Sequence, residues 1–100
     1  MIPMEKDIEK KLVEKVRRRG GLCLKWVCPG WAGVPDRIVL LPGGKIVFVE
    51  LKRPRGGVLS SRQIWWAKKL VDLGFHHWVI WDFDELDLFN VMELCGGAIR

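Results

Sequence analysis

Three acids and one lysine stand where chemistry is possible. Glu50 and Lys52 lie two residues apart at the end of an apolar run, Ile46-Val47-Phe48-Val49. On a strand, that spacing projects both from one face. Asp36 lies on the other side of Pro42-Gly43-Gly44. A hairpin centred on Gly43 sets Asp36 opposite Glu50, with Cβ atoms about 4.5–5.5 Å apart. Two carboxylates that close repel, and a divalent cation between them removes the conflict. A one-residue slip in register would destroy the pairing. Oxygen donors of this kind suit Mg²⁺ or Mn²⁺. Such an ion polarises a phosphate and lowers the pKa of a bound water. Lys52 then orients or deprotonates that water, or stabilises charge on the phosphate. The chemistry is metal-assisted phosphodiester hydrolysis, with Asp36, Glu50 and the Leu51 backbone carbonyl as ligands. The same residues also fit a surface Glu50–Lys52 pair beside an unrelated turn aspartate.

The elements that must position these groups follow from the patterning. Met4–Arg19 reads as a helix, with Ile8, Leu12, Val13 and Val16 as its apolar stripe and Gly20-Gly21 as its stop. At about 100° per residue the stripe sweeps an arc of about 140°. Glu9 falls inside it and so faces the sheet, where it needs a cation or another partner. Glu5 shares that arc one turn earlier, and Lys25 is a competing partner for Glu9. Leu22–Val27 reads as a strand and 28–35 as a loop with two prolines and two glycines. Asp36–Leu41 and Lys45–Leu51 form the hairpin, the second strand buried on both faces. A basic loop spans Arg53–Leu59. Ser60 and Gln63 have capping-box spacing at the head of a second helix that Gly74 closes. His76–Trp81 is the last strand, and a short helix is expected near Leu86–Leu94. The order is α-β-β-β-α-β: an α/β fold, 1–100 as a single domain, with a small mixed central sheet flanked by helices.

The quoted motifs resemble a known family. Gly33-Val34-Pro35-Asp36 followed by Glu50-Leu51-Lys52 resembles the Pro-Asp…(Asp/Glu)-x-Lys nuclease signature. With Glu9-x-x-Leu12 before it and Ser60-x-x-Gln63 after it, the ordered set resembles the virus-type replication-repair nuclease (VRR-NUC) family over about residues 5–82. The resemblance implies a restriction-endonuclease-like core. It implies Asp36 and Glu50 as metal ligands, Lys52 as the catalytic lysine, Glu9 as the completing acid and Gln63 as a helix glutamine near the site. Glu5 is the alternative to Glu9. Stand-alone members resemble junction-resolving enzymes. The expected function is therefore a Mg²⁺- or Mn²⁺-dependent, structure-selective DNA endonuclease, acting as a dimeric Holliday junction resolvase. Flap or nicked-duplex cleavage, a non-catalytic nucleic-acid-binding domain and a structural partner in a larger complex are the competing readings.

Charge agrees with a nucleic-acid partner. The 100 residues carry 17 basic and 12 acidic side chains, a net charge of +5. Residues 52–69 hold Lys52, Arg53, Arg55, Arg62, Lys68 and Lys69 with no acid. A positive side of this kind attracts polyanions. Lys25, Arg37, Arg53, Arg55 and Arg62 are the expected DNA contacts. Paired cuts on a four-way junction need two active sites, which a homodimer supplies. Six tryptophans exceed what a small core readily buries. Trp65 and Trp66 are adjacent and cannot share one narrow helical stripe. An exposed tryptophan serves an interface or base stacking. Cys23, Cys28 and Cys95 form no disulfide framework and no zinc spacing, so reduced thiols are expected. No apolar run approaches the roughly 20 residues of a membrane span. Residues 1–20 hold no signal-peptide core. The expected setting is the cytoplasm, as a bacterial or viral protein acting inside the host cell.

Overall fold

The structure is a computed structural model, which describes residues 4–53 and 55–81. The expected short helix near 86–94, together with Cys95, lies outside the described residues. The elements run α1 (Glu5–Arg18), β1 (Leu22–Lys25), β2 (Arg37–Leu41), β3 (Lys45–Leu51), α2 (Ser61–Asp72) and β4 (His76–Ile80). This is the expected α-β-β-β-α-β order. β1 stops two residues before the expected Val27. The Trp26 N–H nevertheless still reaches the Asp36 carbonyl, at 3.1 Å.

The four strands form one mixed sheet in the order β1-β2-β3-β4. β1, β2 and β3 are antiparallel, and β4 runs parallel to β3. A parallel neighbour cannot be reached by a tight turn, so α2 supplies the crossover. Leu41 faces Lys45 and Arg37 faces Val49, so the hairpin is centred on Gly43. Gly43 and Gly44 both take positive φ, at 88° and 77°. Side chains rarely adopt that backbone, which is why two glycines make the turn. Continuing the ladder by one residue brings Asp36 beside Glu50.

α1 lays Ile8, Leu12 and Val16 on one face of the sheet, against Val39, Val47, Val49, Leu51, Trp78 and Ile80. The other face carries Phe48, with its ring centroid 5.2 Å from Trp26 and 5.4 Å from Phe75. β3 is buried from Val47 to Leu51, as its unbroken apolar run requires. Cys23 and Cys28 are free thiols, and burial pushes the Cys23 thiol up to about 11. Among the described residues, no helix is long and apolar enough to cross a membrane.

Candidate active site

The two carboxylates meet at the end of the hairpin, between the first turns of α1 and α2. Asp36 follows the buried Pro35 at the mouth of β2. Its Oδ2 accepts the Leu51 N–H at 2.8 Å, which ties the loop to β3 and fixes the carboxylate. Glu50 is only 2% exposed. Burial pushes its carboxyl up to about 8, helped by the charge of Asp36 and a hydrogen bond between the two carboxyl groups. The Lys52 ammonium opposes that rise, from 3.8 Å away. Lys52 is itself largely buried, and its N–H donates to the Ile80 carbonyl. A buried acid pressed against a second acid is costly in the absence of a cation. The arrangement therefore has the chemistry of a divalent-metal site.

α2 contributes from the other side. The Gln63 Nε2 donates to Glu50 Oε2 at 3.1 Å. Its Oε1 accepts the Ser60 N–H, and its own N–H donates to Ser60 Oγ. Gln63 therefore closes the capping box and touches the buried acid in the same conformation.

α1 places its two candidate acids, Glu5 and Glu9, differently from the expectation that Glu9 completes the cluster. The Glu9 carboxylate pairs with the Arg37 guanidinium at 2.8 Å. Arg37 also donates to the Cys23 carbonyl. The two residues join α1 to the β1–β2 pair, and Arg37 is committed to this contact. Lys25 is not the partner. Glu5, one turn nearer the helix start, is the acid held close to the site. Its carboxyl is raised by burial and by the charge of Asp36, and lowered by Lys52 and Arg53. A helical wheel gives the face of a side chain but not its height along the sheet. Both acids occupy the right face but differ in height: Glu9 meets Arg37, and Glu5 feels the charge of Asp36. Among the described residues, no three His, Cys, Asp or Glu side chains form a ready metal cage. Mg²⁺ commonly takes one or two carboxylates and keeps several waters, so a two-carboxylate site meets its needs.

The basic residues are dispersed. Arg53, Arg55 and Arg62 are exposed on the loop after β3 and the first turn of α2, and Lys25 is exposed at the end of β1. Sequence reasoning assigned no role to Trp31 or Ser61, and for Trp66 it offered only an interface or base stacking. These residues gather beside Arg62 and Trp65 in an open cleft of about 410 Å³. Their signal in the sequence was the surplus of tryptophan.

No family model matches the chain. It is 46% identical over 82 residues to a protein named "Putative nuclease p44", from Acyrthosiphon pisum secondary endosymbiont phage 1. The match covers 82% of this chain and 86% of that protein. A solved structure described as "VRR_NUC domain" superposes with a TM-score of 0.81 at 30% identity. It covers 86% of this chain and 94% of its own. The chain belongs to the VRR-NUC family. In this VRR-NUC chain, Pro35-Asp36 at the mouth of β2 and Glu50-Leu51-Lys52 at the end of β3 meet in the one register that opposes their carboxylates.

Proposed function

We propose that this VRR-NUC chain is a divalent-metal-dependent endonuclease that hydrolyses phosphodiester bonds in branched DNA, working as a homodimer on four-way junctions. The observation that carries the reading is Glu50, buried and pressed against Asp36, with Lys52 at 3.8 Å. Asp36, Glu50 and the Leu51 carbonyl would hold Mg²⁺ or Mn²⁺, with Glu5 as the outer acid from α1. When bound, the ion supplies Lewis-acid polarisation of the scissile phosphate and acidifies the attacking water.

The chain's own groups set up the rest. The Leu51 N–H and the Gln63 amide hold Asp36 and Glu50 in place, so the carboxylates need little reorganisation on binding. Lys52 offers a cation for the water or for a phosphate oxygen as charge develops there. Arg53, Arg55, Arg62 and Lys25 meet the neighbouring phosphates. Leu22 and Leu24 stay exposed on the edge strand β1, with Val27 just beyond it. That apolar strip supports a contact with a second copy.

A labelled panel of four-way junctions, flaps, duplex and single strands tests the reading, with Mg²⁺, Mn²⁺ or EDTA. Symmetric paired nicks are expected on the junction. EDTA and Glu50→Gln should each abolish cleavage while DNA binding persists. Full activity in Glu50→Gln sinks the metal-site assignment. Cleavage confined to another substrate removes the junction reading and leaves the nuclease.

A further inference from the structure

Trp31 and Trp65 are 57% and 48% exposed. Their rings lie within 21° of parallel, with centroids 6.3 Å apart. Trp66 meets both edge-on, at 5.7 Å and 5.3 Å. It is the structural member of the three: its indole N–H donates to the Ala32 carbonyl at 3.1 Å, and its ring packs against Trp26. With Ala32, Ser61 and Arg62 the three indoles line the 410 Å³ cleft. Large aromatic faces left open to water beside a cation call for a ligand, because packing alone would bury them.

The cleft is preformed and coupled to the carboxylates. Gly33 takes φ +84°, and a Cβ there would stand 2.6 Å from the Arg62 Cβ. Only glycine lets the 28–35 loop sit directly on the first turn of α2. That loop ends in Asp36. That same turn carries Gln63 against Glu50, one residue from Arg62. The two segments that hold the acids therefore also hold the indoles.

We propose that this cleft captures one unpaired nucleobase of the substrate strand, stacked on Trp31 and Trp65, with Arg62 on the adjoining phosphate. The inference rests on the nuclease reading and deepens it: the enzyme selects DNA carrying an unstacked nucleotide near the scissile phosphate. In continuous duplex the base faces are covered by their neighbours, so only a flipped or unpaired base can enter. Charge favours a polyanion over a second copy of this chain. Residues 52–69 carry no acid, so two such surfaces face to face would oppose like charges.

The test measures binding with Ca²⁺ in place of the catalytic ion, on a forked duplex carrying a one-nucleotide bulge near the branch. An abasic residue is moved along the bulged strand. The wild type should lose about 5- to 150-fold in affinity at one position only. Trp65→Leu and Trp31→Leu should show the same loss with the intact strand and no further loss with the abasic one. A wild type indifferent to abasic position overturns the inference without any variant, and so do additive losses. Conversion of a dimer to a monomer by Trp65→Leu, read by sedimentation, also overturns it and assigns the indoles to self-association. Abasic coupling without cleavage of any substrate removes only the nuclease reading. Cleavage without coupling removes only the base cleft.

Discussion

The amide of Gln63 spans two tasks, and its orientation is forced. The oxygen must face the Ser60 N–H and the nitrogen must face the Glu50 carboxylate. The two tasks separate by substitution. Ser60→Ala removes the side-chain acceptor for the Gln63 N–H and leaves the amide near Glu50. It should cost about 1 kcal/mol of stability, with cleavage nearly unchanged. Gln63→Ala frees Glu50 from its orienting contact and should lower activity about 10–100-fold. Melting curves and single-turnover rates on the two variants check this. Equal activity loss in both would reduce Gln63 to a helix cap. The capping role was legible from the Ser60-x-x-Gln63 spacing, because a local motif needs only local sequence. The contact with Glu50 depends on where the crossover lands α2, which no spacing encodes. The choice between Glu5 and Glu9 was not legible for a related reason. Both lie on the buried arc of α1, and the Arg37 guanidinium that claims Glu9 comes from another element.

At the scale of elements, β4 carries a buried base that the proposed chemistry does not use. His77 is 2% exposed, and its Nδ1 has no hydrogen-bond partner among the described residues. Burial lowers its pKa from 6.5 to about 4. Between those values the unfolded chain binds the proton and the folded chain does not. The His77 contribution is therefore full above pH 6.5 and is lost as pH drops toward 4, about 3 kcal/mol in all, while the raised Glu50 carboxyl gives a slope of the opposite sign between pH 4.5 and about 8. His77→Leu should remove most of that acid-side loss, measured by urea unfolding between pH 4 and 7. An identical slope in wild type and variant would show that His77 does not carry it, since the raised Glu5 and Glu50 carboxyls act with the opposite sign. The strand itself was easy to read. Apolar runs and glycine stops mark β2, β3 and β4, and the glycine turn fixes the register that opposes Asp36 to Glu50. The 28–35 loop was harder. Its docking depends on one missing Cβ at Gly33, and hydrophobic period carries no trace of such a contact. The indole cleft built on that contact was therefore visible only as too many tryptophans.

On the scale of the whole molecule, one protomer offers one Asp36–Glu50 pair, while resolving a four-way junction takes two cuts. A C2 dimer places two identical sites in a fixed relation. Mixing protomers tests that arrangement without disturbing the interface. Wild type and Glu50→Gln, refolded together in equal amounts, should give about a quarter doubly active dimers. A supercoiled plasmid with an extruded cruciform reports the outcome, because paired cuts linearise it and a single cut only relaxes it. Linear product should fall with the square of the wild-type share, while total nicking falls in proportion. If linear product also falls only in proportion, the second cut comes from the same protomer, and the homodimer is dispensable. The dependence distinguishes a structural second copy from a catalytic one, since a mute partner would keep the site folded yet contribute no cut.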